Sequence, residues 1–144
     1  MDIEPGSGNI SLVITQPSEA GASVTTSSSD NSKWINYTSG NISSVTRKVM
    51  VQITSGTVPA GTALDLTTST YSGSGAGGTF GTPNSTIQLT NTAQVILTGI
   101  SSCYTGDGAS NGHCLTFSWR ITNYANLKTT TASTIVINYT FMDN

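Results

Sequence analysis

An all-β fold of about eight strands, an antiparallel β-sandwich (Ig-like) or a jelly roll, is predicted by three observations. Apolar residues alternate with polar ones in run after run, the period-two pattern of half-buried strands. Turn residues punctuate the chain every 8–12 residues or so, the spacing of sandwiches and jelly rolls. Apolar residues nowhere recur at helical spacing for more than one turn, and the dense Thr and Gly weaken any helix.

The elements follow in chain order. Residues 1–9 are polar, with Pro5, Gly6 and Gly8, and predict a flexible N-terminal arm ahead of a single sandwich domain over 10–144. Ile10, Leu12 and Ile14 form the first strand, stopped by Pro17. A small, polar stretch runs to Lys33, and Trp34–Tyr37 makes a short strand. Val49, Val51 and Ile53 share one face, with Met50 and Gln52 on the other. Val58-Pro-Ala-Gly61 is a turn, since proline presets its first central position. Leu64 and Leu66 alternate with Asp65 in the strand that follows. Ser72–Gly81 is so rich in glycine that a long mobile hairpin loop is expected. It lacks the lysine of a phosphate-binding loop and opens no helix.

Ile87–Leu89 and Val95–Leu97 are the next strands. Leu115, Phe117, Trp119 and Ile121 then lie on one face of the strongest run, opposite Thr116, Ser118, Arg120 and Thr122. Ile135, Ile137, Tyr139 and Phe141 repeat the pattern in the closing run. A slip of one residue would turn either row out into water, so both registers are well specified and both rows are assigned to the core. Only Tyr124–Leu127 has the makings of a helical turn.

Cys103 and Cys114 stand at the two feet of a polar ten-residue insert. Cysteines so placed can meet across a hairpin, and a disulfide closing this loop is expected to stabilise by roughly 3 kcal/mol. Two free thiols in a reducing compartment are the alternative. The bridge is favoured, and with it an oxidising, extracellular setting. The start, Met1–Pro5, has no basic or apolar leader, so an exported chain is expected here in mature form. No apolar run is long enough for a membrane-spanning helix.

Charge narrows the partners. Only 8% of residues are charged, the net charge is −2, and Arg47 and Lys48 are the only adjacent cations. Nucleic-acid binding needs a basic footprint that such a chain lacks. Catalysis is not expected. The single histidine, His113, sits in a glycine-rich loop, and no nucleophile-elbow motif accompanies the many serines. The seven carboxylates are scattered, and a glycosidase pair would have to be assembled from distant positions such as Asp65 and Asp107. No metal site is expected, because His113 and two cysteines lack further soft ligands and residues 105–112 offer calcium one carboxylate. No cofactor motif is present. Five N-x-Ser/Thr sequons, at Asn9, Asn36, Asn41, Asn84 and Asn138, are about what so hydroxyl-rich a chain produces by chance. Tyr71 and Tyr104, beside the two glycine-rich loops, are the candidates for stacking on a sugar.

Tyr124-Ala-Asn-Leu-Lys128 followed by Thr134-Ile-Val-Ile-Asn-Tyr-Thr-Phe141 resembles the C-terminal strand of bacterial fimbrial subunits and spore-coat-U-like secreted domains. Those strands also alternate, carry a penultimate aromatic and follow a short spacer. Val58-Pro-Ala-Gly-Thr62 has a counterpart there too. The resemblance covers about the last fifth of the chain. It implies a subunit of an extracellular filament or surface coat, partnered head-to-tail by copies of itself through donor-strand exchange. Ile10, Leu12 and Ile14, behind a polar leash, are the donor candidates, with pairing inside their own domain as the alternative. The second functional expectation is a monomeric extracellular adhesin or carbohydrate-binding module.

Overall fold

The computed structural model describes residues 1–25, 28–41, 44–128 and 133–144. The protein is all-β and antiparallel. Twelve strands are present among the described residues: β1 (Asp2–Glu4), β2 (Ser28–Asn36), β3 (Thr38–Ser39), β4 (Arg47–Ser55), β5 (Thr62–Thr68), β6 (Ala76–Gly77), β7 (Phe80–Pro83), β8 (Ile87–Gln88), β9 (Gln94–Ile100), β10 (Cys103–Tyr104), β11 (His113–Ile121) and β12 (Val136–Asp143). The strands not expected are the short β1, β3, β6, β7 and β10, of two to four residues each, too short to stand out by alternation in a sequence. A single 3₁₀ turn spans Tyr124–Asn126, where Asn123 Oδ1 accepts from the Ala125 N–H and caps it.

Two sheets form the layers, one of five strands in the order β1-β2-β11-β5-β8 and one of four in the order β12-β4-β9-β7. In the first, Phe117 stands opposite Leu66 and Trp119 opposite Leu64. In the second, Ile137, Tyr139 and Phe141 of β12 stand opposite Ile53, Val51 and Val49 of β4. Directly opposed side chains share a face, so these pairs set two apolar rows against each other. Ile35, Leu66, Leu115 and Phe117 from one sheet and Val49, Val51, Ile53, Leu97 and Ile100 from the other are buried in one continuous core. The third sheet, β3-β10-β6, is stitched from two-residue strands.

Several segments differ from their sequence-based expectation. Asp2–Glu4 belongs to no free arm; as β1 it pairs with Trp34–Asn36 at the edge of the five-stranded sheet. Ile10–Ile14 is extended but joins no ladder, whereas the Ser-rich run from Ser28 becomes the first half of β2. The glycine-dense Ser72–Gly81 segment is built into the fold, not looped out. It carries β6 and passes so near β10 that a Cβ at Gly75 would lie 1.9 Å from the Tyr104 carbonyl oxygen. Here glycine is required for close approach of two backbones, which composition alone does not distinguish from mobility.

Trp119, Ile121, Ile135, Ile137, Tyr139 and Phe141, all assigned to the core, are only half-buried. The reason is positional. Trp119, Ile135, Ile137 and Tyr139 line an opening on the side of β12, an outer strand of its sheet.

Candidate functional site

The opening is a groove of about 850 Å³, within the size range of cavities that hold ligands or peptide segments. Leu64, Phe117 and Trp119 line it from β5 and β11; Ile135, Ile137 and Tyr139 line it from β12 and the residue before it. Gly8–Ile14, Gln16 and Val24 form its roof. The alternation that makes Phe117 and Tyr139 face inward thus produces an apolar trough as well as a core. Burial in this environment pushes the Tyr139 phenol well above its ordinary range, so it stays neutral.

The roof is strand-like in pattern and unpaired in fact. Ile10, Leu12 and Ile14 are half-buried while Ser11 and Val13 are exposed, and Ile10 and Leu12 touch the core. Yet among the described residues 8–14 form no backbone–backbone hydrogen bond; the Val13 N–H is met by Ser28 Oγ at 3.1 Å. Among the described residues the outer edge of β12, the strand whose Ile137 and Tyr139 line the same trough, has no neighbouring strand either. A third unmet group is the indole N–H of Trp119, buried with no partner among the described residues. A buried donor left so costs about 1–3 kcal/mol, which an arriving carbonyl would recover.

Lys33 completes the trough and was not singled out in the sequence. It stands opposite Leu115 on β2, is 9% exposed, and makes no ion pair among the described residues. Its ammonium donates to the carbonyls of Pro5 at 2.6 Å and Ser7 at 3.1 Å. The signal available in the sequence was the spacing Lys33, Ile35, which puts the lysine on the inward face once β2 is extended to Ser28. Among the described residues no Asp or Glu lines the groove.

The remaining candidates are dispersed. Tyr71 is not free to stack on a ligand: its ring lies on Phe80 with centroids 3.7 Å apart, and its hydroxyl donates to the Thr105 carbonyl and accepts from the Gly75 N–H. Tyr104 is exposed on β10 and makes no ring contact among the described residues. Asp65 pairs with Arg120 across β5 and β11, while Asp107 lies in the exposed loop that Asn111 closes on the Asp107 carbonyl.

The expected Cys103–Cys114 bridge is a correction, for both thiols are free. The ten-residue insert does not fold back as a hairpin. Cys103 pairs in the small sheet with Ser39 and Gly77, whereas Cys114 pairs with Trp34 in the five-stranded sheet. Burial pushes both thiols above their ordinary range, away from the reactive thiolate. Accordingly, alkylation in denaturant without reductant is expected to label both cysteines, as read by intact mass. A chain that takes up label only after reduction would contradict the free thiols.

His113, expected in a surface loop, is instead fully buried at the start of β11. Its Nδ1 lies 2.8 Å from the Ser69 carbonyl, and Nε2 lies 2.9 Å from both Phe80 O and the Tyr37 hydroxyl. Each ring nitrogen thus faces a backbone carbonyl that an N–H can meet, while the Tyr37 hydroxyl donates to the Phe80 carbonyl beside Nε2. This is a structural tie between strands, with no access for a substrate. No family model, no curated protein and no solved structure matches this chain.

Proposed function

We propose that the protein is a structural subunit of an extracellular filament or surface coat, assembled when the Ile10–Ile14 segment of one copy fills the groove of the next. One observation carries the reading: among the described residues, a segment with strand alternation lines an apolar trough beside β12, whose outer edge has no neighbouring strand, and makes no ladder bond itself. Main-chain pairing along a vacant edge supplies affinity in strand addition, and alternate side chains entering a trough supply register. In a second copy the same three residues would keep their apolar contacts and gain the β12 edge. Such a contact is head-to-tail and does not close, so it propagates.

The extracellular part of this proposal rests on the low charge and hydroxyl-rich composition, since free thiols say nothing for an oxidising compartment. The carbohydrate-module alternative loses its aromatic pair, because Tyr71 is committed within the fold. Changing Ile10, Leu12 and Ile14 together to serine is expected to leave the β-type circular dichroism intact and abolish polymers in negative-stain microscopy and light scattering. A native chain that stays monomeric at high concentration, or a triple variant that polymerises normally, would refute the proposal.

A further inference from the structure

Resting on that reading, we propose that Lys33 is an assembly latch: it holds the subunit's own donor segment at home until the segment is released for a second copy. The anchors of the segment are all on one side. Ahead of it, β1 is paired through Ile3 to Ile35 and through Glu4 to Trp34, and the Lys33 ammonium grips the carbonyls of Pro5 and Ser7. Behind it, Ser28 holds the Val13 N–H, and Thr15 and Thr25 exchange two backbone hydrogen bonds. Every one of these contacts ties it to the β2 side or to its own return; none reaches β12.

The geometry explains why a segment with the pattern of a strand makes no ladder in its own domain. Tethered at both ends, it lines the trough and, among the described residues, makes no backbone hydrogen bond to β12. In a second copy no such tether applies, so the same residues are free to take the register that β12 offers. Lys33 is the strongest single tether. Its hydrogen bonds are charge-assisted, they are sheltered from water, and they hold the leash immediately before Ile10. Among the described residues Lys33 makes no ion pair, and its ammonium gives its hydrogen bonds to two carbonyls of the leash.

The test uses the full chain with Lys33→Met, which keeps the length and removes the donors, and Lys33→Arg, which keeps charge and donors. Removal of residues 1–7 takes away both acceptor carbonyls and β1, and serves as an independent route should Lys33→Met fold poorly. Hydrogen exchange of residues 7–14 in dilute monomer reads the latch, and light scattering at matched concentration reads assembly. Lys33→Met and the truncation are expected to exchange faster across the segment and to assemble at least about tenfold faster, with Lys33→Arg close to the native chain. Adding the triple serine change is expected to cancel the gain. Native-like assembly by a folded Lys33→Met chain and by the truncation would overturn the latch, while leaving strand exchange standing if the triple variant still blocks polymers. A segment that opens in Lys33→Met with no assembly in any chain would overturn both.

Discussion

Alanine in place of Gly112 should lower the unfolding free energy by about 2–5 kcal/mol, a large share of what a domain of this size has to spare. Gly112 has a φ of +87°, a region that an L side chain rarely adopts. The added Cβ would lie 2.0 Å from the Ile35 carbonyl oxygen and 2.9 Å from Asn36 Nδ2, so backbone itself would have to move. The residue is also placed where displacement spreads. It precedes His113 at the head of β11, the strand paired on both sides in the five-stranded sheet, and its carbonyl accepts from the Ser72 N–H. Urea unfolding followed by tryptophan fluorescence checks this. A change below about 1 kcal/mol would mean that β2 and β11 are less closely apposed than the structure has them.

His113 should produce the second large effect, and one with a pH signature. Burial lowers its pKa below the ordinary 6.5, outweighing the two backbone carbonyls that favour the charged ring. The folded ring therefore binds a proton less readily than the unfolded one. Its contribution to stability is fully present above pH 6.5 and is lost progressively as pH falls from there towards the lower folded value. Melts between pH 8 and 5 should show a loss confined to the acid half of that range. His113→Leu should remove the slope and, at pH 7.5, still cost about 2–4 kcal/mol, because Ser69 O loses the imidazole donor and Tyr37 loses a partner inside the core. A native chain whose stability is level from pH 8 to 5 would show that His113 titrates alike in both states.

How far the residues announced this arrangement depends on what alternation records. It registers the side on which apolar groups fall, and for Val49–Ile53, Leu115–Ile121 and Ile135–Phe141 that was enough to place whole strands and both groove walls. It carries no information on whether a partner edge is within reach, so Ile10, Leu12 and Ile14 read like any other strand and turn out unpaired. Nor does it separate core from trough: Phe117 and Trp119 share a row and both line the groove, yet Phe117 is buried and Trp119 half-buried. Ser28–Ser32 has no apolar residue to betray β2, whose first half is held by register with Phe117, Ser118 and Trp119. The cysteine spacing suggested a hairpin because proximity in sequence stands in for proximity in space until a third strand, here β3, claims one of the two.

The pairing of β12 with β4 sets a timetable. Its ladder joins Val136–Asp143 to Arg47–Ser55, across most of the chain's length, and loop closure on that scale is slow compared with local events. Until it zips up, one bank of the trough is missing, although the segment carrying Ile10, Leu12 and Ile14 has long since left the ribosome. Under the proposed strand exchange, each molecule would own something to give well before it could receive. Growth of a chain of copies would be metered by the maturation of its youngest receptor end.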